Sequence, residues 1–367
     1  MRVLFALPGF HRYERGAEVA LLSVADALAS TGTEVTVMGS GPARAQTRYD
    51  FIEVPSVRRE RFERFPTIPP FRSETAWEDA TFALSLMRAF RPEDYDFVVT
   101  CSFPFTHWAL RRPAKRKPLQ IFVTQNGDWP AFSNDGEFRT FRCDGLVCTN
   151  PDYLERNKET WNCALIPNGI NLERFLPGAS ERERLGLPLG KPVVLMVSAL
   201  IESKRVLDGI RAVAELAEAV LVVAGDGPLR DEAEALARQL LPDRFLRVSL
   251  PASDMPALYR SADVFLHMSL LESFGNVFLE AWACGLPIVA QDSERLRWIL
   301  GEESPYLCDT KDRQTTGAHL QKALLSGKSS KRPESIADFS WSRIGQQYHS
   351  FFARLSTKAS SGLSGPS

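Results

Sequence analysis

Short runs of β-branched and apolar residues, each followed by a longer amphipathic stretch, recur in two series along the chain. The first series is "RVLFALP", "EVTVM", "FVVT", "LQIFVT", "GLVCT" and "CALIPNGI"; the second is "PVVLMVS", "AVLVVAG", "FLRVS", "DVFLHMS" and "LPIVA". A strand covered on both faces reads as a continuous apolar run, and parallel neighbours need long crossovers, which the amphipathic stretches supply. The alternation therefore predicts an α/β protein with two doubly wound, Rossmann-like sheets. The charged, Pro- and Gly-bearing "LERFLPGASERERLGLPLGK" separates the series, and the expected boundaries are 1–168 and 169–338. Residues 339–356 carry aromatics at 339, 341, 348, 351 and 352, enough to dock a helix back on the first domain. The small polar residues 357–367 predict a disordered tail.

Composition excludes several classes. A chain of 367 residues with 44% hydrophobic content is too long for one ordinary core, and a net charge of −1 gives no surplus for nucleic acid. No apolar run approaches the roughly 20 residues that span a bilayer. The opening "MRVLFALPGF" reads as a first buried strand rather than a signal peptide. Six cysteines without Cys-x-x-Cys spacing argue against structural zinc and disulfides, and predict a reducing cytoplasm. There is no Walker P-loop and no G-x-G-x-x-G, so neither an ATPase nor a dinucleotide-dependent dehydrogenase is expected.

The sharpest chemical signal is "LLESFGNVFLEAWACGLPIVA", 270–290, with Glu272 and Glu280 in a stretch that has no lysine, arginine or histidine. Parallel sheets bind ligands at the carboxyl ends of their strands, and the loop after "DVFLH" is such a place. A helix starting near Gly275 or Asn276 presents unpaired N–H groups to a phosphate, and glycine leaves room for it. The flanking carboxylates suit hydroxyls. The combination fits a ligand with hydroxyls on both sides of a diphosphate, a nucleotide sugar. The alternative makes Glu280 a solvated helix residue and Glu272 a helix-start acid, favourable by about 0.3–1 kcal/mol through the dipole. Spacing alone does not separate the two.

"ESFGNVFLEAWACGLPIVA" resembles the signature of retaining glycosyltransferases of family 4, which have the two-domain GT-B fold and use nucleotide-diphosphate sugars. "IPNGINLERF", "GDGPLRDEAEALA", "LPASDMPALYRSADVFLHMS" and "RGAEVALLSVADALASTGTEVTVM" resemble further family segments in the same order. The resemblance implies a cleft between the domains, with the donor on the second and the acceptor on the first. It implies that Glu280 holds the ribose, that Glu272 faces the donor sugar, and that the backbone of Phe274, Gly275, Asn276 and Val277 contacts the phosphates. The base meets backbone near Leu250. It also implies a front-face mechanism in which the departing diphosphate helps deprotonate the acceptor, with no metal and no cofactor besides the donor. Of the arginine and lysine that serve the diphosphate, Lys204 is present and Ala199 stands at the arginine position; Arg205, where glycine is frequent, is either a substitute cation or a solvated helix-start arginine. At the first helix Arg15 replaces one glycine of a pair, and Gly16 lets backbone approach the phosphate. Asn126, in "FVTQNGDWP", occupies the place of a histidine near the donor sugar, where it can bond a hydroxyl but not shuttle a proton; the other reading of "QNGD" is a plain turn, which Asn-Gly and Gly-Asp favour. The catalytic set is Lys204, Glu272 and Asn126.

Two other readings keep the same nucleotide-sugar chemistry: an epimerase or hydrolase of this fold, and a non-catalytic sensor motivated by Ala199 and Asn126. Asp94-Tyr95-Asp96 has metal-transferase spacing but precedes a strand, at the wrong end of a sheet. His107, among Phe103, Phe105 and Trp108, and His267, at a strand end, read as packed histidines. The basic stretches "RRPAKRK", 111–117, and "VRRERFERF", 57–65, read as solvated loops or as one face for anionic lipid. The expected partners are a nucleotide-sugar donor, a glycan or lipid-linked acceptor and an anionic inner membrane leaflet, with no nucleic acid.

Overall fold

The apolar runs become strands, and every pairing between them is parallel. The computed structural model describes residues 1–361. They divide into two units, Met1–Gly169 with the segment from Phe339 onward, and Ile170–Asp338.

In chain order the first unit contains β1 (Arg2–Ala6), α1 (Gly16–Ser30), β2 (Glu34–Gly39), β3 (Asp50–Glu53), α2 (Glu74–Ala89), β4 (Phe97–Thr100) and α3 (Phe105–Leu110). There follow β5 (Leu119–Val123), α4 (Trp129–Phe132), β6 (Gly145–Cys148), α5 (Pro151–Asn157) and β7 (Cys163–Leu165). The sheet order is β3-β2-β1-β4-β5-β6-β7. Central strands such as β4 and β6 are buried at every position, because helices cover both faces. The order reverses between β1 and β4, where crossovers leave the sheet in opposite directions and open a crevice.

The second unit contains β8 (Val193–Val197), α6 (Val206–Ala214), β9 (Val220–Ala224), α7 (Arg230–Leu240), β10 (Phe245–Val248), α8 (Met255–Ser261) and β11 (Val264–His267). It continues with α9 (Asn276–Ala283), β12 (Ile288–Gln291), α10 (Glu294–Leu300), β13 (Leu307–Cys308) and α11 (Arg313–Ser326). Its order, β10-β9-β8-β11-β12-β13, reverses between β8 and β11. Val194, Met196, Leu221, Val223, Leu266 and Val289 alternate with helix residues in its core. The edge strands β3 and β13 were not expected from sequence: "DFIE" is short and half acidic, and β13 has two residues.

The last helix, α12 (Trp341–Ser361), packs in the first unit. Its Ile344, Tyr348, Phe351, Phe352 and Leu355 share a core with Val3, Phe5, Leu21 and Val24, and Phe352 stacks on Phe97 at 4.6 Å. Helix and sheet approach closely, since a Cβ at Gly145 would lie 2.6 Å from Leu355 Cδ1. The expected tail, 357–367, is helical as far as Ser361; 362–367 lie outside the described residues.

Candidate active site

In the second unit, β8 and β11 pair directly, Val264 with Val194 and Phe265 with Leu195, so the loops that follow them emerge side by side. One carries Lys204 and the other Glu272, 68 residues apart in sequence, and Lys204 Nζ donates to Glu272 Oε1. His267, the last residue of β11 and 3% exposed, places Nε2 2.9 Å from the same oxygen. Burial favours the neutral acid, but the hydrogen bond and charge of His267 and those of Lys204 outweigh it and hold the Glu272 carboxyl at about 2. Glu272 is thus an anion fixed by two partners, with Oε2 left for a ligand. His267 Nδ1 and Ser269 Oγ, also at the end of β11, are buried without a partner.

Gly275 follows three residues later with φ +83°, a left-handed turn that a side chain disfavours; a Cβ there would also lie 2.6 Å from the Phe278 ring. It starts α9 without a side-chain cap, which puts the positive end of the helix dipole at this turn, and the Phe278 amide bonds the Gly275 carbonyl at 3.0 Å. Phe274 anchors the turn with a buried ring, while Asn276 and Val277 are half-buried. One turn on, Glu280 is half-buried, and its Oε2 accepts 2.7 Å from the hydroxyl of Tyr259, a fully buried residue of α8. Burial pushes the Glu280 carboxyl up, and the Tyr259 bond and Arg174 partly offset this. Each glutamate therefore has one oxygen held by the protein. Glu280 is therefore not the solvated helix residue of the alternative reading. Leu250, half-buried, follows β10 at the same end of the sheet.

In the first unit, Gly16 begins α1, and a Cβ there would meet nothing within 4 Å. Arg15 supplies no side-chain cap. Glu18, buried in the first turn, accepts from its own backbone N–H, and burial pushes its carboxyl up. A resident acid thus shares the helix start where backbone was expected to meet phosphate. Asn126 is exposed just beyond β5, its amide reaching only Cys101 Sγ at 4.0 Å.

The model for group 1 glycosyl transferases matches residues 179–338, and that for Glycosyltransferase Family 4 matches 15–174. The chain belongs to this family of glycosyltransferases. It is 30% identical over 271 residues to the D-inositol 3-phosphate glycosyltransferase of Corynebacterium jeikeium, covering 67% of this chain and 62% of the relative. It is 32% identical over 181 residues to the lipopolysaccharide core biosynthesis glycosyltransferase LpsE of Rhizobium meliloti, covering 48% and 52%. The matched stretches thus span between half and two thirds of these relatives. Anabaena HepE in complex with UDP-glucose superposes with a TM-score of 0.71 at 17% identity, covering 96% of this chain and all of that one, and the likeness supports the GT-B fold.

Against the family pattern, the structure corrects the reading of Arg205. Arg205 has φ 52°, which explains why glycine is frequent there, and four of its donor contacts are already made. Nε bonds Asp208 at 2.8 Å; Nη1 bonds the Met268 carbonyl and the Thr310 hydroxyl, and Nη2 the Thr310 carbonyl. It ties the loops after β8 and β11 to Thr310. The basic stretches are also partly structural. Arg111 bonds the Arg142 carbonyl, Arg112 bonds the Met87 and Phe90 carbonyls, Arg116 pairs with Asp96, and Arg59 pairs with buried Glu78. Asp96 also accepts from the Arg2 backbone N–H at 2.8 Å, fastening the amino end of β1. His107 is buried, stacks on Phe141 and bonds the Arg142 carbonyl; burial holds its pKa at about 3. Tyr259 escaped the sequence reading, since nothing local links it to a glutamate 21 residues away. His267 ends the strand whose loop bears Glu272, and that placement brings its Nε2 to the carboxylate.

Proposed function

We propose that the protein transfers a sugar from a nucleotide-diphosphate sugar to an acceptor hydroxyl with retention of anomeric configuration. The observation that carries this is the arrangement around α9: an uncapped glycine start flanked by two half-satisfied carboxylates, with Lys204 beside them. Glu280 Oε1 takes the ribose diol, the α9 amides and Lys204 take the diphosphate, and Glu272 Oε2 takes a donor-sugar hydroxyl. Lys204 rests on Glu272 and turns to the diphosphate as a second anion arrives. The bond from the anomeric carbon to the diphosphate oxygen breaks with its electron pair on that oxygen. The acceptor oxygen bonds the same face, and its proton passes to the diphosphate. Charge developing on the leaving group meets fixed positive groups, which is the largest lever available to such a site. Asn126 donates to a sugar hydroxyl and moves no proton.

The UDP-glucose bound to HepE supports a nucleotide-sugar donor. The inositol-phosphate and lipopolysaccharide-core relatives support a glycan or lipid-linked acceptor in cell-surface glycan or glycolipid assembly. Among the described residues no helix is long and apolar enough to cross a membrane. A cytoplasmic protein resting on the inner leaflet fits a surface on the first unit. Val57 N bonds Thr81 Oγ1 and Arg112 bonds the Met87 carbonyl, so both basic stretches flank α2, whose Leu84 and Met87 are exposed. Calorimetry with UDP, UDP-glucose and GDP-mannose tests the donor site. Binding of at least one, lost on Glu280→Ala, is expected; an unchanged affinity in that variant overturns the ribose assignment. Proton NMR of the first-formed product reads the anomeric configuration, and inversion overturns retention.

A further inference from the structure

Glu272 has two partners on one oxygen, and the fold holds them with unequal firmness. Lys204 reaches Oε1 on a flexible stem from the loop after β8, with a quarter of its side chain exposed. His267 reaches the same oxygen from the last position of β11, a strand hydrogen-bonded between β8 and β12, where it pairs with Ala290. Its ring is clamped. The imidazole stands edge-on to Phe278 of α9, with 4.7 Å between centroids and 72° between planes, and stacks toward Phe265 at 6.1 Å. Phe278 is itself buried under Gly275, where a Cβ would meet its ring, so the imidazole belongs to the same packed unit as the helix start.

Packing alone does not account for a histidine here. Its Nδ1 is buried with no partner, a penalty that an aliphatic side chain at this strand end would not carry. What the imidazole adds is Nε2, 2.9 Å from Glu272 Oε1. An ionised carboxylate only accepts hydrogen bonds, so Nε2 carries the hydrogen and donates. When Lys204 turns to the diphosphate, His267 is the one of the two that stays on Oε1. A glutamate with no fixed partner has to freeze its torsions on the ligand, which weakens binding.

We infer that His267 is a positioning residue for the donor sugar: its Nε2 holds Glu272 in place while Lys204 serves the diphosphate. The inference rests on the transferase reading above, in which Glu272 faces that sugar. Calorimetry compares UDP with UDP-glucose, and GDP with GDP-mannose, on wild type, Glu272→Ala, His267→Gln, His267→Asn and His267→Leu. The readout is the ratio of nucleotide-sugar to nucleotide affinity in the pair that wild type binds, since a nucleotide without its sugar makes no use of Glu272. Glutamine carries its terminal amide nitrogen near the Nε2 position and asparagine nearer Nδ1. His267→Asn and His267→Leu are expected to lower the ratio about tenfold, and His267→Gln to keep it within about threefold of wild type. Nucleotide affinity stays within about threefold in the three His267 variants, which also shows that they fold. A loss shared equally by nucleotide and nucleotide sugar overturns the positioning role, as does a wild-type ratio in His267→Leu or a ratio in His267→Gln as low as in His267→Asn. A ratio that Glu272→Ala leaves unchanged, or a wild type that binds none of the four ligands, counts against the transferase reading itself, and the inference falls with it.

Discussion

Replacing Tyr259 by phenylalanine removes one oxygen and tests whether Glu280 is held as a charged acceptor. The Tyr259 ring is buried near Phe175 and Phe265, and phenylalanine keeps that packing. What is lost is the 2.7 Å bond to Glu280 Oε2. A hydrogen bond to a charged group contributes about 1.5–3 kcal/mol. Glu280 is only half-buried, so water partly replaces the donor, and the expected loss is about 1.5 kcal/mol near pH 8. In a domain of this size about 1 kcal/mol moves Tm by roughly 2–4 °C, so the transition of the second unit falls by about 3–6 °C. The pH dependence identifies the cause. Burial raises the folded carboxyl above its ordinary 4.5, so between the two values the native state binds more protons than the unfolded chain. Glu280 therefore lowers stability increasingly as pH rises through that window. Tyr259→Phe raises the folded value further and deepens that loss. Below the window the acid is neutral in both states of both proteins, and the difference shrinks toward that of a neutral hydrogen bond. Thermal denaturation by circular dichroism from about pH 4, below the unfolded carboxyl's 4.5, to about pH 8 measures this. A Tm difference that is the same at both ends, or below about 1 °C throughout, refutes the reasoning.

Lys204→Met removes one of the two groups holding Glu272 at about 2, so the carboxyl rises toward 4.5. Stability that a depressed carboxyl contributes is present above 4.5 and lost on acidification toward 2, so the variant unfolds at higher pH in an acid titration. The same change weakens UDP binding about 10- to 100-fold by calorimetry, through loss of a charge-assisted contact to the diphosphate. Arg205→Ala and Arg205→Gly both lose the loop ties, but only glycine relieves the left-handed φ. Urea unfolding is expected to find Arg205→Gly more stable than Arg205→Ala by about 1 kcal/mol, and equal stabilities would remove the strain argument. For the membrane face, a variant with Arg58, Arg61, Arg64, Lys115 and Lys117 changed to glutamine spares the structural arginines. At about 1 kcal/mol per cation it should stop floating with anionic liposomes at low salt while keeping its Tm. Transfer should continue in EDTA at wild-type rate, because leaving-group stabilisation is assigned to Lys204 and α9.

The two sheets, their parallel sense and the place of the glycine start at 275 were legible in the sequence. Continuous apolar runs in "PVVLMVS" and "DVFLHMS" report burial on both faces, a property of the residues themselves. The edge strands were not, since β3 and β13 bury one side at most and their residues carry little of that signal. The two-glutamate motif and Lys204 were likewise local patterns. Their mutual contacts were not. Lys204 meets Glu272 because β8 and β11 are neighbours at the reversal of strand order, and Tyr259 meets Glu280 because α8 and α9 pack on the same unit. Arg205 shows the reverse case. Its charge suggested a diphosphate contact, and the fold gave its guanidinium to Asp208, Met268 and Thr310 instead. Sequence by itself determined the buried central strands, their crossover helices and which residues carry charge. Tertiary structure decided which charges meet, because strand order brings together residues far apart in the chain, and burial sets how strongly each carboxylate needs its partner.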